Sequence, residues 1–177
     1  MADSKQIGSL VVSELVVAIS QPALNVNYVV TGFADGTACE IERGEAAWSH
    51  KVGTHGHVER SHNIDETATV TLHIQQTASD NDVLYGLYNY DKKQLTGDGL
   101  FTIAVLDKSG RTALFSTQAF IAVLPNQQFG NETATMDWKV IMPYSDWYVG
   151  GNSKAGAEVQ NTLSQLGYEI DDSWKIN

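Results

Sequence analysis

The chain has 177 residues, a formal net charge of −10 from 21 Asp and Glu against 11 Lys and Arg, and a single cysteine. That length suits one domain able to bury roughly 68–70% of its unfolded surface, and one cysteine excludes both an intramolecular disulfide framework and a zinc site built on several thiolates. The cations are scattered, which argues against a groove that neutralises phosphates, although an acidic wall would let DNA slide past it.

Met1-Ala-Asp-Ser-Lys-Gln6 lacks the charged and apolar regions of a signal peptide, and the longest apolar stretch, Leu10 to Ile19, carries Ser13 and Glu14. A soluble chain made in the cytosol and kept reduced is the expectation. Val26 to Phe33 is rich in β-branched and aromatic residues, and Asp35-Gly36 signals a turn before Thr37 to Glu42, so a hairpin is expected here. Gly44 to Asp65 is polar and rich in Gly and His, with Trp48 and Val52 as its large apolar residues, and reads as a long excursion.

From Thr67 to Gln75, Ala68, Val70, Leu72 and Ile74 alternate with polar residues as in a half-buried strand. A helix follows, with Ser79 as N-cap, Asp82 in the first turn, and Val83, Leu84, Leu87 and Tyr88 on one face up to about Asp91. Leu95 to Gly99 breaks the chain before Phe101 to Leu106, which is hydrophobic on both faces and predicts an interior strand. Asp107-Lys-Ser-Gly110 fits a type I turn into a second hairpin.

The return strand, Arg111 to Leu124, changes alternation from Ala113 and Phe115 to Phe120 and Leu124, which predicts a bulge or a bend between sheets near Thr117 to Ala119. Pro125 to Asn131 is a loop, and Thr133 to Met142 alternates again with Ala134, Met136, Trp138, Val140 and Met142 inward. Gly150 to Ser153 is a hinge-like break, after which Val159, Leu163 and Leu166 mark a short helix stopped by Gly167.

Catalytic chemistry finds little support. His55-x-His57 with Glu59 invites a metal reading, but only Val58 separates the second His from the carboxylate, and His73 lies on the polar face of its strand. Cys39 stands between Ala38 and Glu40, where a carboxylate raises its pKa rather than activating it. Ser79-Asp-Asn-Asp82 lacks the spacing and glycine of a calcium loop. With no G-x-S-x-G, no phosphate-binding glycine loop and no paired carboxylates, the expectation is a protein that is not an enzyme, with no cofactor and no metal.

The ordered set of Gly32-Phe-Ala-Asp-Gly36, Ile41-Glu-Arg43, Lys51-Val-Gly53, Gly56 to Ser61, Thr69-Val-Thr-Leu72, Gln76-Thr-x-Ser79, Asn81-Asp-Val-Leu84, Thr96-Gly-Asp-Gly99, Asp107-Lys-Ser-Gly110 and Trp138-Lys-Val140 resembles the tail tube protein of contractile-tailed bacteriophages. The resemblance spans about Val26 to Met142. It implies an antiparallel β-sandwich or small barrel with one flanking α-helix, related to the haemolysin-coregulated protein of type VI secretion; the C-terminal helix read from Val159, Leu163 and Leu166 lies outside it as an appendage. Residues 1–150 would form the tube domain, with a long loop at about 44–65, and 151–177 a C-terminal extension. Six copies would close into a ring, and rings would stack head to tail into a hollow tube that conducts DNA during genome ejection.

Implied partners are further copies of the chain and the tail sheath, baseplate hub, tail terminator and tape measure proteins of the virion. DNA would pass through the lumen without specific binding, and no membrane is involved. Six copies would bring about −60 charges to each ring, a wall that repels rather than holds the duplex. The 44–65 excursion becomes a candidate inter-subunit or inter-ring arm, with Trp48 as apolar anchor and Lys51, Glu59, Arg60 and His62 as polar contacts. Two alternatives remain open: a type VI secretion-like tube component, and a small metal-dependent β-barrel enzyme using His55 and His57.

Overall fold

The computed structural model describes residues 7–176, so the reading of Met1 to Gln6 falls outside the described residues. The fold is mainly β. Ten strands comprise β1 (Leu15–Gln21), β2 (Val26–Val30), β3 (Cys39–Arg43), β4 (Trp48–Val52), β5 (Val58–His62), β6 (Ala68–Gln75), β7 (Phe101–Asp107), β8 (Ala113–Ile121), β9 (Thr135–Met142) and β10 (Asp146–Tyr148). The helices are α1 (Asp80–Lys93) and α2 (Ala157–Gln165).

Eight strands form one antiparallel sheet in the order β2-β1-β7-β8-β9-β6-β3, with β10 also on β8, while β4 and β5 pair only with each other. The sheet turns at β8. Its first half pairs with β7 and β10, and Phe120 and Ile121 pair with β9. Between Phe101↔Ala119 and Ile103↔Ser116 the register slips by one residue, the bulge expected near Thr117 to Ala119. The Ser116 hydroxyl fixes the bend by donating to the Tyr144 carbonyl at 2.6 Å. Among the described residues the sheet does not close, since β2 and β3 end it without a further strand, so the sandwich of the expected fold is present and the barrel is not.

The two halves enclose one core. Val17, Ile19, Ile103, Val105 and Leu114 of the first half meet Val70, Leu72, Ile74, Trp138 and Val140 of the second. Alternation placed the second-half residues correctly, because β6 and β9 put apolar side chains on the core face and mostly polar ones on the other, which is mainly exposed on β9 and largely half-buried on β6. On β8 the inward residues are Leu114 and Ser116, then Ala119 and Ile121, the opposite phase from Ala113, Phe115 and Phe120, and Phe115 points outward. The register to β7 decides the face.

The expected hairpin of Val26 to Phe33 with Thr37 to Glu42 is not formed. β2 pairs with β1 and β3 with β6, at opposite ends of the sheet. Asp35-Gly36 does turn the chain, with Gly36 at φ +91, but the turn carries it from one half to the other along β6, where Phe33 bridges Ile74. Two flanking runs with a turn between them satisfy a hairpin pattern locally, while Leu15 to Gln21, unassigned in the sequence, competes successfully for β2.

Helix α1 seats Leu84 and Leu87 in the core, with Val83 and Tyr88 partly buried. Ser79 precedes it but its side chain makes no cap. The local bonds come instead from Asn81, whose amide donates to the Gln75 and Ala78 carbonyls and whose oxygen accepts from Trp138 Nε1 at 2.9 Å, and from Asp80, which accepts from the Thr31 amide.

Candidate functional site

The excursion at 44–65 contains a hairpin of its own. Trp48↔His62, His50↔Arg60 and Val52↔Val58 are directly opposed, so these six side chains share one face, and Ser49, Lys51, Glu59 and Ser61 share the other. Every residue of both strands is exposed. The Arg60 guanidinium lies 3.5 Å from the centre of the Trp48 ring, and His62 packs against the same indole at 4.7 Å between ring centres. Cation–π attraction and aromatic packing hold this stack together in water. An isolated two-stranded hairpin is marginal in water, and nothing among the described residues covers the aromatic face of this one.

The structure brings Trp48, Arg60 and His62 together, while Lys51 and Glu59 pair on the reverse face and therefore serve a different surface. At the base, the Thr67 amide and hydroxyl hold the Asp65 carboxylate below its ordinary range, and Asn63 N–H donates to the Ala47 carbonyl at 2.9 Å. The arm is thus pinned at its root and free along its length.

A second surface was not anticipated. Sequence predicted β7 as apolar on both faces, and the outer face is uncovered: Leu106 and Phe115 are more than 40% exposed, beside Ala104, Ala113 and Tyr148. Phe115 and Asp146, paired across β8 and β10, stand between two shallow clefts of about 260 and 360 Å³, the larger also lined by Glu66 and Tyr144. The signal was present in Leu15 to Ile19 and Phe101 to Leu106, runs too apolar for strands with one wet face.

The outer face of the second half is polar. His73 Nδ1 meets Asp137 at 2.7 Å and its Nε2 lies 3.9 Å from Glu40, confirming His73 on the polar face. Among the described residues no three His, Cys, Asp or Glu are placed to hold a metal ion. Cys39 is a poor nucleophile, because burial, with a smaller push from Glu40, raises its thiol to about 12. Alkylation at pH 8 should therefore proceed far more slowly than for an unfolded control, and equal rates would contradict the packing of Cys39.

The C-terminal segment is tied to the β7–β8 turn. Asn152 donates to Asp107 at 2.9 Å and to Ser109, Arg111 donates to the Ser153 carbonyl at 2.7 Å, and Gly150 bonds Thr112. A Cβ at Gly150 would lie 2.4 Å from that of Arg111, so this glycine serves close approach. Helix α2 leaves Val159 and Leu166 largely exposed, and its attachment rests on buried Ala155 and Ile170 instead.

Burial raises the Asp107 pKa, but bonds from Ser109, Asn152 and the Ser109 and Gly110 amides outweigh it and leave the carboxyl below its usual value. A depressed folded-state pKa contributes stability above the unfolded value near 3.9, lost as pH falls through the folded one. Protease nicking after Gly150 should accordingly accelerate below about pH 4. Asp107→Asn should raise nicking at pH 7 and flatten the pH dependence, and an unchanged profile would exclude Asp107 as the pin.

Comparison with known proteins decides the family. The Bacteriophage PhiTE tail tube protein family matches residues 18–150. The chain belongs to the phage tail tube family. Structural protein ORF10 of Pseudomonas phage KPP10 is 32% identical over 162 residues, covering 92% of this chain and 94% of that protein. The cap that terminates the tube of the anti-feeding prophage aligns with a TM-score of 0.48 at 14% identity, covering 84% of this chain and 99% of the cap. As a phage tail tube protein the chain is a structural component, not an enzyme. No helix among the described residues is long and apolar enough to cross a membrane.

Proposed function

We propose that this tail tube protein forms the wall of the tube of a contractile phage tail, with six copies closing each ring and rings stacking head to tail around a channel for the genome. The observation that carries the reading is the apolar outer face of β7 and β8, where Leu106 and Phe115 stand exposed, together with an exposed aromatic arm elsewhere on the chain: two surfaces which a head-to-tail contact would cover together. The free edges of β2 and β3 would be sealed by neighbours within the ring, removing an aggregation hazard.

The polar outer face of the second half, with Glu40, Glu42 and Asp137, has the chemistry of a channel wall that duplex DNA can slide along without binding. In this reading residues 1–150 build the wall and 151–177 stand on the outside toward the sheath. The tail terminator and baseplate hub close the two ends, and the tape measure protein occupies the lumen before the genome. Synthesis takes place in the host cytoplasm and the mature location is the virion tail.

Negative-stain electron microscopy across a concentration series, with and without short tube seeds, tests the reading. Rings or hollow tubes with six-fold end views are expected. Monomers at every concentration even with seeds would overturn it.

A further inference from the structure

The self-assembly reading leaves open where the arm lands. The arm's face offers Trp48, His50, Arg60 and His62 with Val52 and Val58, and it carries one fixed positive charge and no acid. In a chain of net charge −10 this is an unusual surface. Its complement is on the same molecule: the ridge of Phe115 and Asp146 with its two clefts, flanked by Tyr144, Tyr148 and Glu66. That patch is aromatic and acidic, and the arm's face is aromatic and basic.

We propose that the arm of one copy seats its Trp48–Arg60–His62 face on the Phe115–Asp146 ridge of a second copy, with the Arg60 guanidinium against Asp146 and Trp48 in one of the flanking clefts. Three observations converge. Both surfaces carry exposed apolar side chains that nothing among the described residues covers, so each has apolar area to bury. Their charges are opposite, and Arg60, already stacked on an indole, presents its guanidinium edge to a carboxylate at little further entropic cost. The two shallow clefts, of about 260 and 360 Å³, leave room beside the ridge for an aromatic side chain to seat.

The inference rests on the tube reading, because it takes the occupant to be a second copy. An arm folding back onto its own ridge would have the same chemistry, and the test must separate the two. Arg60→Glu and Asp146→Lys each place like charges at the proposed contact, and each alone should raise the concentration needed for assembly on the order of tenfold. An equimolar mixture of the two variants should assemble like the natural protein. In the mixture an arm altered by Arg60→Glu meets a ridge altered by Asp146→Lys on the other variant, and an unaltered Arg60 meets an unaltered Asp146, but only between copies.

Sedimentation and electron microscopy read the assembled fraction, and thermal melts confirm that both variants fold. Recovery in the mixture supports the contact between copies. No recovery, or an Asp146→Lys variant that assembles normally, overturns it. Failure of the natural protein to assemble would instead overturn the tube reading on which it rests.

Discussion

Excising Trp48–His62 and joining Ala47 to Asn63 through Asn-Gly is expected to leave a folded monomer that forms no tubes at any concentration. The surgery is local because Asn63 N–H already donates to the Ala47 carbonyl, the bond that a two-residue hairpin turn requires between its first and fourth positions. Strands β4 and β5 pair only with each other and bury none of their side chains, so their loss should change folding stability by no more than about 1 kcal/mol. Assembly, in contrast, would lose an aromatic anchor and its cation in every copy, and contacts of that kind carry most of the energy of an interface. Circular dichroism melts and sedimentation measure the two effects separately. A shortened chain that still forms tubes would show the arm to be dispensable, and one that no longer melts cooperatively would show it to be part of the fold.

The division between what sequence reveals and what it hides follows from what each residue must satisfy. Val70, Leu72, Trp138 and Val140 were placed correctly because β6 and β9 alternate apolar core residues with polar ones, so the period reports the inward face directly. The change of phase in β8 was legible as a bend, but its sense was not, since Phe115 is large and apolar and yet stands exposed on the outer face. Strand β1 escaped notice for a related reason: Val16 and Ala18 on its outer face and Val17 and Ile19 on its inner face make a continuous apolar run, which has no period to detect.

Long-range pairing is the other blind spot. Asp35-Gly36 specifies a turn, and nothing near it specifies that the strands on either side leave for opposite edges of the sheet. The arm was legible as an excursion from its polarity, with Trp48, Arg60 and His62 among its expected contacts, but the face those three share depends on the cross-strand register of β4 and β5. Asp146 and Tyr144 carry no signal in the sequence, because their place beside Phe115 comes from the bend that sets β10 against β8.

Trp138→Ala should be the most destabilising single change in the chain, at about 3–5 kcal/mol, enough to unfold a domain of ordinary stability at moderate temperature. The indole is 2% exposed, lies in the core between the two halves of the sheet, and donates through Nε1 to Asn81 at 2.9 Å. Truncation therefore opens a cavity and also strands the Asn81 oxygen, whose amide nitrogen is already committed to the Gln75 and Ala78 carbonyls at the start of α1. Trp138→Phe separates the two causes. It keeps most of the apolar volume and loses the bond, at a cost of about 1–3 kcal/mol. Coupling this variant with Asn81→Ala in a double-mutant cycle should return much of that loss, because the two partners fail together. Urea titrations give each number, and additive losses would mean that the tryptophan acts by volume alone and that α1 is positioned by Leu84 and Leu87 rather than by the polar link from β9.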